Sequence, residues 1–111
     1  MWFVDLVLRR PRSDEMGKMA ANVARESHLA VWSRVSHRVL TMRLNEARGY
    51  VRARAAQCIQ AEVDQRALRN LHLSDQARQE LIARATDHVV GLVIRDVLLM
   101  PAEASIQRRA A

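Results

Sequence analysis

Residues 28–44 read HLAVWSRVSHRVLTMRL, and the recurrence of apolar residues in this stretch decides the fold class. Val31, Val35 and Val39 return every four positions with Trp32, Met42 and His28 beside them, the spacing of one helix face. At about 100° per residue, Leu29, Leu40 and Leu44, with Ala47, make a second apolar stripe. A helix apolar on two sides touches two neighbours, and in a small protein one of these is often another copy of the chain. The stretch therefore predicts both a helix and a partner for it.

Outward from this segment nothing obliges a helix to stop. There is no proline between Met16 and Met100, and the only glycines are Gly17, Gly49 and Gly91. The alanines, leucines, arginines and glutamines around them are mostly helix formers. Ser13, followed by Asp14 and Glu15, supplies a capping oxygen and negative charge for a first turn. The first helix is expected over about residues 14–48, a rod of roughly 50 Å. Gly49 fits a C′ position and marks the expected joint. Val51, Ala55, Cys58, Ile59, Val63, Ala67 and Leu71 then carry a second helix over about 50–71. Asn70 to Asp75 reads as a helix end, a short connection and a serine cap.

The third helix is expected over about 75–100, where Pro101 stops it. Its apolar face holds Leu81, Ile82, Ala85, Val89, Leu92, Val93, Leu99 and Met100. Asp96 falls toward that face and is expected to find an arginine or to sit at an open edge. The fold expected is all-α, a three-helix bundle or helical hairpin with a long first helix, completed by homo-oligomerisation. An apolar and basic arm (residues 1–12) precedes it and a polar tail (residues 101–111) follows.

Composition limits the function. The 111 residues suit one domain. Half are hydrophobic, but much of that is alanine and valine, and the aromatics are only Trp2, Phe3, Trp32 and Tyr50. The net charge of +6 favours phosphate-bearing partners, nucleic acid or an anionic membrane surface. By sequence segment the charge is spread thinly, with +2 in each of residues 1–12, 13–48 and 49–73. If the helix runs on through Gly49, then Arg34, Arg38, Arg48 and Arg52 share one edge within about 40° and could track phosphates. The competing reading is a solvated face paired with Glu46 and Glu62.

Cys58 is the only cysteine, which rules out a disulfide within the chain and suits a reducing, cytoplasmic setting. No run reaches the roughly 18 apolar residues of a membrane span. In residues 2–8 the apolar run precedes Arg9 and Arg10, the reverse of a secretory signal. This arm is expected to pack on the helices, with a membrane interface as the alternative.

Chemistry has little to build on. None of the four histidines pairs at i,i+4, so neither a metal nor another cofactor is expected. His28 reads as a hydrogen-bonded core residue. Ser27-His28 and Ser36-His37 point about 100° apart on a helix and form no nucleophile–base pair. No glycine-rich phosphate loop or nucleophile elbow is present, and no small-molecule substrate follows. The expected function is a non-enzymatic interaction or scaffold protein. Its contacts would be Trp2, Phe3, Trp32, Val35, Val39, Leu40, Met42 and Leu44, with a second copy or another helical protein as partner. The alternatives are nucleic-acid binding through Arg34, Arg38, Arg48 and Arg52, or membrane anchoring through residues 2–12.

Overall fold

The computed structural model describes residues 13–69 and 73–100. They form three helices, α1 (Ser13–Val39), α2 (Leu44–Arg69) and α3 (Asp75–Leu98), with no strand among the described residues. Each helix packs against the other two. The arm residues Trp2 and Phe3 and the tail lie outside the described residues.

The chain turns at Leu40–Arg43, nine residues before the glycine expected to turn it. At the end of α1, Thr41 N–H donates to the Arg38 carbonyl at 3.1 Å and Met42 N–H to that of Val39 at 3.2 Å. The Thr41 hydroxyl donates to the same Arg38 carbonyl at 2.9 Å. These i→i+3 bonds tighten the last turn and satisfy carbonyls that a continuing helix would have used. Helix α2 opens with Ala47 N–H donating to the Arg43 carbonyl at 2.8 Å. Gly49 sits inside α2, and no glycine has a positive φ.

Burial supplies the reason for the turn. In one unbroken rod, Val31, Val35 and Val39 would need another molecule to cover them. With the turn, Ala47, Val51, Ala55, Ile59 and Val63 of α2 fold back, and all eight residues are fully buried within one chain. Removing a side chain of this size from water is worth about 1.5–3 kcal/mol, against about 0.5–1.5 kcal/mol for a backbone hydrogen bond given up at a turn. Burial wins, and no turn residue is needed to mark the place.

The two-sided helix therefore does not form. Of the second stripe, Leu29 is 78% exposed, Leu40 falls in the connection, and Leu44 and Ala47 belong to α2. Helix α1 has one buried stripe, Met16, Ala20, Val23, Ala24, Ser27, Val31, Val35 and Val39.

Ser74 caps α3 as the sequence indicates. Its backbone is extended (φ −65°, ψ 161°), and its hydroxyl accepts from Ala77 N–H at 3.1 Å. The buried stripe of α3 is Ala77, Leu81, Ala85, Val89, Val93 and Val97, joined by Thr86, Val90 and Ile94. A four-residue spacing on a helix of 3.6 residues per turn drifts round the axis. By the last turn Val97 faces inward and Leu99, expected on the apolar face, is 75% exposed. The Thr86 hydroxyl, inside the core, donates to the Ile82 carbonyl at 2.7 Å.

Two ion pairs fix the course of α3. Arg52 pairs with Asp87, and Arg78 lies 3.5 Å from Asp64, so α3 runs antiparallel to α2. The end of α3 thus returns to the end of the bundle where α2 begins.

Candidate interaction surface

The residues proposed from sequence as a contact surface separate in the structure. Val35 and Val39 are fully buried among the protein's own helices and offer no surface to a partner. Trp32, Leu40, Met42 and Leu44 are half-buried, and Trp32, Met42 and Leu44 pack against the core. Among the described residues, the large apolar side chains left in solvent are Leu29, Leu98 and Leu99, at 78%, 54% and 75% exposure. Leu98 and Leu99 close α3, two and three residues after Asp96, which bonds His28 of α1.

The four-arginine edge is also broken, because it required a helix continuous through Gly49. Arg34 and Arg38 lie on α1, while Arg48 and Arg52 lie on α2. Arg52 is turned toward α3 and neutralised by Asp87.

A different basic group takes its place. The Arg38 guanidinium lies 5.5 Å from the centre of the Tyr50 ring, and that of Arg54 lies 5.1 Å from the same ring. Each contact joins a guanidinium to the electron-rich ring face, worth about 0.5–1 kcal/mol at an exposed site. Arg34, one turn before Arg38, borders an open groove of about 220 Å³ between α1 and α2, with Ser27, Ala30, Cys58 and Ala61. At the far end of that groove Arg66 is held between Glu26 and Glu62, the latter at 3.2 Å. The Glu26–Glu62 end of the groove is thus charge-balanced, while Arg34 at the other has no carboxylate partner among the described residues.

Tyr50 and Arg54 were not singled out from the sequence. The available signal was the charge count over the right window. Residues 34–54 hold six arginines and one glutamate, +5 of the chain's +6. Dividing the chain at Gly49 splits that cluster between two segments, whereas the turn at Leu40–Arg43 places its two halves on facing helices.

Several other charged groups are paired. Arg84 lies 3.5 Å from Glu80, and Arg78 lies 3.6 Å from Asp75 as well as near Asp64. Asp96 meets an imidazole instead of an arginine, with His28 Nε2 2.6 Å from its Oδ2. Both groups are half-buried, so His28 is hydrogen-bonded as its place on the apolar face required. Cys58 is half-buried in the α1–α2 groove. A second open groove, of about 590 Å³, runs between α2 and α3, lined by small and amide side chains such as Ala56, Gln60, Gln79 and Ala83.

Among the described residues no three histidine, cysteine or acidic side chains are grouped to hold a metal ion. No helix among them is long and apolar enough to cross a membrane. Set against protein-family models, curated proteins and solved structures, the chain matches none. Its functional reading therefore rests on its own surface chemistry.

Proposed function

We propose that this protein is a non-enzymatic helical interaction module that works through protein–protein contacts, with a second copy or another helical protein as partner. The observation that carries this reading is the exposed Leu98–Leu99 pair at the end of α3. Two adjacent leucines in solvent, when every core position of the same helix is 0–5% exposed, form an uncovered apolar site. Trp32 and Leu29, three residues apart on α1, offer a second, smaller one.

The size of the site indicates the kind of contact. Burying each leucine gains about 1.5–3 kcal/mol, enough to anchor an association but far from the 1,200–2,000 Å² of a stable interface. The contact is transient and concentration-dependent. Sedimentation velocity from micromolar to millimolar protein tests it. Self-association that is lost in the Leu98→Ser/Leu99→Ser double variant identifies the site and makes the partner a second copy. A monomer throughout removes homo-oligomerisation and leaves another helical protein as the partner.

A further inference from the structure

We propose that the α1–α2 face around Tyr50 is a nucleic-acid-binding surface, in which Arg34, Arg38 and Arg54 take backbone phosphates. This goes beyond the protein–protein reading and uses a different face.

The arginines of the described residues sort into two groups. Arg52, Arg66, Arg78 and Arg84 each have a carboxylate partner. Arg25, Arg34, Arg38, Arg43, Arg48, Arg54 and Arg95 have none among the described residues, and all seven are exposed. Five of the seven, Arg34, Arg38, Arg43, Arg48 and Arg54, flank the α1–α2 turn, where Glu46 is the only acid between residues 34 and 54. An uncompensated group of this kind raises the local concentration of anions and speeds their association.

Geometry favours phosphate over other anions. Arg34 and Arg38 are one turn apart on α1, about 6 Å along the axis, and Arg54 of α2 meets Arg38 at the Tyr50 ring. Each guanidinium presents a planar fork that bonds two phosphate oxygens at once. The Tyr50 ring holds Arg38 and Arg54 close together before any ligand arrives, which lowers the ordering cost of binding.

The large side chains meeting at this face are arginines and Tyr50, and the groove beside Arg34 adds only small apolar ones, Ala30, Cys58 and Ala61. The exposed leucines among the described residues lie elsewhere, Leu29 on the α1 surface and Leu98 and Leu99 at the end of α3. An acidic amphipathic helix or a membrane interface would need large exposed apolar side chains among the arginines. A phosphate backbone needs none.

Fluorescence anisotropy of the full chain with labelled single- and double-stranded oligonucleotides, from about 50 to 200 mM salt, tests this. The comparison is between two variants of equal net charge, Arg34→Ala/Arg38→Ala/Arg54→Ala and Arg52→Ala/Arg78→Ala/Arg84→Ala, with circular dichroism confirming helix content. The cluster variant should lose affinity and flatten the log K against log [salt] slope by about 2–3, close to one unit per phosphate contact. The paired-arginine control should keep most of the slope. The triple lysine variant at 34, 38 and 54 should retain the salt slope but bind more weakly, which also guards against a folding defect. No binding at 50 mM salt overturns the proposal, as does equal loss in both alanine variants. Tighter binding to polyglutamate, or to phosphatidylserine vesicles, than to the oligonucleotides also overturns it. None of these outcomes bears on the Leu98–Leu99 contact, which sedimentation reads independently.

Discussion

The Arg38 guanidinium carbon lies 5.5 Å from the centre of the Tyr50 ring, although the two residues are twelve positions apart. On one continuous helix that separation would be about 18 Å along the axis. The contact exists because the chain reverses between them, at Leu40–Arg43. The same reversal buries Val31, Val35 and Val39 inside the protein and brings Arg38 and Arg54 to one ring.

Replacing Gly49 by alanine should stabilise the protein. Gly49 is helical, has no positive φ, and an added Cβ would meet nothing within 4 Å. The expected gain is about 0.5–1 kcal/mol, or roughly 2–6 °C in Tm, read by thermal unfolding. Gly17→Ala and Gly91→Ala should behave alike, since both sites are equally open. A glycine serving as a left-handed helix terminator would give the opposite sign, so destabilisation by Gly49→Ala would place the joint back at residue 49.

Leu81 and Leu29 should separate sharply under alanine substitution. Leu81 is fully buried and Leu29 is 78% exposed. Leu81→Ala should cost about 2–5 kcal/mol in urea unfolding, through lost burial and the cavity left behind. Leu29→Ala should stay within about 0.5 kcal/mol of the parent. A large loss at Leu29 that grows with protein concentration would show that α1 is covered by a second copy.

Ser74→Ala should destabilise the protein by about 1 kcal/mol, because the Ala77 N–H loses its acceptor at the start of α3. Ser74→Asp should restore the loss, as a carboxylate both caps the N–H and complements the helix dipole. Chemical denaturation of the three proteins side by side makes the comparison.

The Arg52–Asp87 pair should contribute little. Its side chains are 55% and 64% exposed, where ion pairs typically yield about 0.2–1 kcal/mol. A double-mutant cycle with Arg52→Ala and Asp87→Ala should return a coupling in that range at low salt. At about 1 M salt, where screening acts within about 3 Å, it should be close to zero. A coupling above 2 kcal/mol would mean that the pair holds α2 and α3 in place.

Some of this could be read from local signals. Ser74 and Asp75 announce the start of α3 because capping chemistry lies within four residues. Glu62–Arg66 and Glu80–Arg84 follow from their spacing alone. The Leu40–Arg43 turn carries no such mark. Leu40 and Met42 are helix formers, and Arg43 does not cap a helix. Choosing Gly49 followed the strongest local residue, and burial overrode it. The edge of Arg34, Arg38, Arg48 and Arg52 holds only on a helix running through Gly49 from α1, and the turn at Leu40–Arg43 divides it, since which arginines share a face depends on where the chain turns. Arg52 illustrates the point, because only the approach of Asp87 on α3 removes it from the free basic group.

The sequence by itself determined that the protein is helical, where α3 starts, and that arginine is in excess over acid. Composition and near-neighbour spacing act within a few residues and need no third dimension. Only the tertiary structure decided where the first joint falls, that the valines of α1 are core instead of interface, and that Tyr50 stands between Arg38 and Arg54. Those outcomes depend on which distant residues cover one another, and burial between α1 and α2 outweighs the weak local preference of Gly49.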